Sequence, residues 1–118
     1  MGSMQADRSR WVWFLQAVSG AALVVLVGVH LIAQHFLAAG GLRDFNEVVA
    51  YLRQPVALAL ELSFLVVVAA HALLGLRAIF SDLGLSPRSQ LAVDVILWIV
   101  GILTVLYGLQ LTCQVIQY

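Results

Sequence analysis

From Trp11 to Leu42 the chain carries no Asp, Glu, Lys or Arg, and this run limits the fold more than any other feature. About 20 apolar residues cross the hydrocarbon core of a bilayer, so the run is ample for one span. Two further apolar runs follow, on either side of the turn Gly84-Leu85-Ser86-Pro87. With 63% hydrophobic and only 10% charged residues among 118, there is too little polar surface for a soluble domain. The sequence predicts an all-α membrane protein: three transmembrane helices over about 12–39, 55–80 and 87–115, forming a single domain over 1–118.

The connections have their own chemistry. Residues 42–54 are mixed and amphipathic and read as a short interfacial helix between the first two spans. Gly40-Gly41 closes the first span. Pro55 opens the second, and Ser86-Pro87 caps and opens the third. Trp11 and Trp13 suit an interfacial aromatic belt. Arg8, Arg10, Arg77 and Arg88 lie on one side and Arg43 and Arg53 on the other, which places the N-terminus in the cytoplasm by the positive-inside bias. Six basic residues balance six acidic ones, so nucleic acid is not an expected partner. A single cysteine, Cys113, excludes an internal disulfide or a cysteine-based zinc site.

Ionisable groups inside a span are expensive to keep and are functional candidates by default. On the first span Gln16, Ser19, His30 and Gln34 share one helical face. His35 is rotated about 140° from His30, at 100° per residue, and reads as a wet interfacial histidine. On the second span Phe64, Val68, His71, Gly75, Ala78 and Asp82 form another stripe. Gly75 lies one turn from His71, which leaves room for a flat group beside the ring. Imidazole is the usual protein ligand of haem iron. His30 and His71 are therefore read as axial ligands, against the competing reading of histidines satisfied by interhelical hydrogen bonds. Counting the rise of 1.5 Å per residue, His30 lies about 25 Å from the inner interface at Trp13 and His71 about 13 Å from its inner end at Phe80. At such different depths they would serve two haems, each needing a second ligand from another chain. Two such groups stacked across a membrane would give electrons a route between its sides. Glu61 reads equally as a proton relay or a hydrated acid, and Asp94 as a hydrated acid near the cytoplasmic end. Gly101 and Gly108 make a close-packing seam on the third span.

His71, Gly75, Arg77 and Asp82, in the pattern His-x-x-x-Gly-x-Arg-x-x-x-x-Asp, resemble the second-helix signature of the membrane anchor subunits of succinate dehydrogenase and fumarate reductase (complex II). Val18-Ser19-Gly20, followed by His30-Leu31, is similar to the first-helix pattern of the same family. The resemblance implies a haem b-binding anchor of the two-haem type, in the cytoplasmic membrane of a bacterium or archaeon. It implies His71 and His30 as iron ligands, with Gly75, Ser19 and Arg77 beside them. It also implies docking of a flavoprotein and an iron–sulfur subunit, a second haem-ligating anchor chain, and a quinone as electron donor or acceptor. Quinone candidates are Gln16, Ser19, Trp13 and Asp82. Some members have Tyr after the aspartate and Arg two residues before the serine; this chain has Leu83 and Ala17. Alone it would catalyse nothing. The rival readings are a di-haem cytochrome b subunit of another respiratory dehydrogenase and a haem-free structural or assembly subunit.

Overall fold

The computed structural model describes residues 2–118. Helix α1 spans Gly2–Leu31 and widens into a π-helical turn over Ile32–Phe36, followed by a 3-10 turn over Ala39–Gly41. Helices α2 (Phe45–Leu52), α3 (Pro55–Asp82) and α4 (Pro87–Gln117) complete the chain. Among the described residues there is no strand. Three helical stretches, Gly2–Phe36, Pro55–Asp82 and Pro87–Gln117, are long and apolar enough to cross a membrane.

Local sequence explains the boundaries. Asp44 and Glu47 form a reciprocal capping box at the start of α2, satisfying two otherwise orphaned N–H donors. Pro55 and Pro87 occupy first-turn positions of α3 and α4, and the Ser86 hydroxyl accepts from the Ser89 N–H at 3.3 Å. Both ends of α1 differ from the expected 12–39. Nothing between Gly2 and Arg10 breaks a helix, so α1 begins three turns before the apolar run. At its other end the regular α-helix stops at Leu31. The π turn carries the chain to Phe36, and the Arg43 Nη2 donates to the Ala33 carbonyl at 2.9 Å. Gly40 and Gly41, at φ 80° and 82°, then make the reversal, a conformation that other residues adopt at a cost.

Helix α3 is the central element. It packs on α1 along one side and on α4 along the other, α2 lies across α3 and α4, and the backbones of α1 and α4 stay apart. The α3–α4 contact is close because Gly101 and Gly108 have no side chain: a Cβ on Gly101 would collide with Leu73, and one on Gly108 would come within 2.6 Å of Leu65. Thr104 and Thr112 donate their hydroxyls to the carbonyls of Val100 and Gly108, so these polar groups stay satisfied inside the apolar helix. The radius of gyration is 17.9 Å, against about 13 Å for a compact domain of this length. Taken alone, the chain is an elongated prism of 56 × 25 × 22 Å. Among the described residues those buried are Ala33, Ala38, Val49, Ala57 and Gly101, while Trp98 and Val24 are 72% and 75% exposed.

Candidate functional site

The two polar stripes face each other. Helices α1 and α3 run antiparallel with a constant offset: Gln16 lies over Gly75, Ser19 and Gly20 meet His71, and His30 and Gln34 meet Glu61. His30 is ten residues beyond the level at which His71 meets α1, so the rings are separated by about 15 Å along the helix pair at 1.5 Å per residue.

At the first level His71 Nδ1 lies 3.0 Å from the Ser19 hydroxyl, which also donates to the Gln16 carbonyl at 3.1 Å. A hydroxyl has one proton. With that proton on Gln16, the serine oxygen accepts from His71, so the neutral ring is protonated at Nδ1 and carries its lone pair on Nε2. The room for the ring comes from Gly20, where a Cβ would approach His71 Cε1 to 3.3 Å. The space beside Gly75, expected to stand open, is occupied by Gln16, whose Nε2 would lie 3.3 Å from a Cβ there. The Gln16 Oε1 is buried and has no hydrogen-bond partner.

At the second level His30 Nδ1 lies 2.8 and 3.0 Å from the two Glu61 oxygens. The carboxylate also accepts from Gln34 Nε2 at 3.2 Å and from the Tyr51 hydroxyl at 2.8 Å. Four segments thus converge on one acid whose side chain is 16% exposed. Three donors on a carboxylate supply the pairing that a buried charge requires. Tyr51 is itself held by the Arg43 guanidinium, 4.4 Å from its ring centroid, a cation–π contact. Burial first, and then the hydrogen bond to Glu61 and its charge, push the Tyr51 phenol up to about 12, so it stays a donor at any physiological pH. Phe64 backs the His30 ring at 5.0 Å between centroids. Again Nδ1 is committed, and in a neutral imidazole Nε2 would keep its lone pair.

The other candidates are spread out. Arg77 pairs in two-pronged fashion with Asp94 of α4, at 2.9 Å through Nε and 3.2 Å through Nη2, and Gln90 donates to the same acid at 3.1 Å. Asp94 is thus a paired group rather than only a hydrated one. Trp13 is 72% exposed and Asp82 lies exposed at the end of α3; neither joins the two clusters. His35 bonds the Gly41 carbonyl at 3.1 Å. Between α1 and α4 runs an apolar groove of about 690 Å³, with Val12, Leu15, Leu73 and Trp98 in its walls and Arg8, Arg77 and Asp94 among its polar lining. Among the described residues no three His, Cys, Asp or Glu side chains gather into a metal-binding group.

Sequence reasoning missed the convergence on Glu61 and the part of Tyr51. The available signal was Glu61 itself, because an acid inside a span must find donors.

Three membrane-length helices with two half-buried polar clusters between the first pair of spans define a small polytopic membrane subunit. The chain belongs to the succinate dehydrogenase/fumarate reductase transmembrane subunit family, which matches residues 1–110. It is 30% identical over 95 residues to a succinate dehydrogenase hydrophobic membrane anchor subunit of Thermoplasma acidophilum, covering 80% of this chain and 77% of that one. It is 34% identical over 99 residues to the corresponding subunit of Archaeoglobus fulgidus, covering 84% of each chain. A third relative, the succinate dehydrogenase 2 membrane subunit SdhC of Mycobacterium tuberculosis, is 30% identical over 98 residues, covering 82% of this chain and 69% of that one.

Proposed function

We propose that this anchor subunit binds haem b through His71 and His30 and passes electrons between the catalytic subunits of a succinate dehydrogenase or fumarate reductase and a membrane quinone. The observation that carries the reading is how the two rings are anchored. Each commits Nδ1 to an acceptor on the neighbouring helix, Ser19 or Glu61, and among the described residues neither Nε2 has a hydrogen-bond partner. Neutral imidazole with a free Nε2 lone pair and an anchored Nδ1–H is the form that ligates a metal.

When bound, haem supplies one-electron transfer; the protein's part is to hold, orient and insulate. One imidazole at each level would supply one ligand, and the separation of about 15 Å at 1.5 Å per residue would keep the two from sharing a single iron. A second histidine-bearing anchor chain would complete each site. Gln16 and Ser19 supply polar groups beside His71. The unpaired Gln16 Oε1 would accept from a quinol hydroxyl, and the apolar groove between α1 and α4 suits an isoprenoid tail. Arg77 ties α3 to α4 through Asp94 near the face on which the flavoprotein and iron–sulfur subunits would dock. The chain would lie in the cytoplasmic membrane of a bacterium or archaeon with its N-terminus inside.

The test is a reduced-minus-oxidised spectrum of the complex purified in mild detergent, with identification of its co-purifying chains. A b-type band together with a flavoprotein is the expected result. A complex with the flavoprotein but no such band overturns the haem reading and leaves a packing subunit. A b-type band with a different dehydrogenase overturns the assignment to succinate or fumarate.

A further inference from the structure

We propose that Glu61 is a positioning residue for His30: held by Tyr51 and Gln34, it fixes the ring's tautomer and direction and enriches the electron density at Nε2. The inference rests on the reading of His30 as an iron ligand. It starts from the amount of support the acid receives. Glu61 takes donors from α1, from the π turn and from α2, at 2.8–3.2 Å. A carboxylate that merely reached water at the headgroups would need none of them. Tyr51 is in turn fixed by the capping box at the start of α2 and by the Arg43 guanidinium over its ring. Both oxygens of Glu61 face Nδ1 of His30, and Phe64 backs the ring, so the imidazole is held by hydrogen bond and by packing at once.

The partner of the other nitrogen decides what a ligating imidazole can give. A carboxylate on Nδ1–H draws that proton toward itself, leaves the ring more electron-rich, and makes it a more basic ligand than a hydroxyl or water partner would. A more basic ligand favours the ferric over the ferrous state, and hydrogen bonding around the axial ligand is one of the protein's levers on haem potential. Removing the charge of Glu61 should therefore raise the potential at the His30 site. Removing a donor from Glu61, with its charge kept, should make the carboxylate pull harder on Nδ1–H and lower that potential.

The experiment is a spectroscopic redox titration of the purified complex, following each haem separately, with His30→Ala identifying the haem that depends on His30. Glu61→Gln keeps the shape and an acceptor oxygen but removes the charge; haem content should persist while the potential of the His30-dependent haem rises and any other stays put. Tyr51→Phe should move the same potential downward. Opposite signs at one haem distinguish electronic control from simple loosening, which would move both variants the same way. If both variants leave the potential unmoved, or shift it in the same direction, the role assigned to Glu61 is wrong and His30 ligation still stands. If His30→Ala keeps every haem, the premise fails and the inference with it. Should Glu61→Gln fail to assemble, the sign of the shift in Tyr51→Phe decides.

Discussion

The two histidine sites differ in the company each ring keeps. At the first level His71 rests against the backbone of α1 over Gly20, and a neutral hydroxyl accepts its Nδ1 proton. At the second level His30 faces a carboxylate braced by an amide and a phenol. One site is made mainly by removing a side chain, the other mainly by gathering polar groups around one carboxylate. The contrast shows how a helix pair with few polar residues gives two imidazoles the same tautomer by different means, one steric and local, the other electrostatic and dependent on α2.

The largest expected effect comes from removing the rings. His71→Leu and His30→Leu should each abolish one haem signal in the reduced-minus-oxidised spectrum and spare the other; loss of both from either change would show that the two levels are not separate sites. Next is the steric half of the contrast. Gly20→Leu places a side chain where even a Cβ would come to 3.3 Å of the His71 ring, and should deplete the His71-dependent haem signal several-fold. Gly28→Leu, at a position with nothing within 4 Å of a Cβ, should leave both haems intact, and equal losses in the two variants would break the steric account. A smaller effect is expected from Ser19→Ala. It removes the two hydrogen bonds of the hydroxyl, to Gln16 and to His71, at about 1 kcal/mol each, read as a modest fall in the thermal stability of the complex with its haem retained.

The smallest effect is at alkaline pH. The Tyr51 phenol is raised from 10.0 to about 12 in the folded chain. The stabilisation it represents is fully present below pH 10 and is lost as pH rises through about 12. Stability measured across that window should fall less steeply in Tyr51→Phe than in the parent, and identical slopes would show that the phenol does not sense Glu61.

The sequence made the faces legible but not the pairings. Gln16, Ser19, His30 and Gln34 recur at helical spacing, and all four do point at α3, because a membrane helix turns its polar groups toward protein. The second stripe was legible over Phe64, His71 and Gly75 for the same reason. The partners were not, since which residue of α3 meets His30 depends on interhelical offset, and nothing local to either helix encodes it. Gly75 shows the consequence: its missing side chain makes room, but for Gln16 of the facing helix. Asp94 shows it again, because the chemistry of an acid near a helix start gives no hint that Arg77 of another span lies opposite. The π turn after Leu31 was equally hidden. It is accompanied by Arg43 reaching back to the Ala33 carbonyl, a contact made across ten residues.

The constant offset between α1 and α3 has a consequence for how the pair can vary. Both clusters hang on the same rail. A slide of one residue, about 1.5 Å, would pull Ser19 out of reach of its imidazole and Glu61 away from its own in a single movement. The two sites therefore cannot be tuned separately by shifting helices, only by exchanging the groups that stand at each rung. Whatever seats the pair correctly at one end sets the alignment at the other.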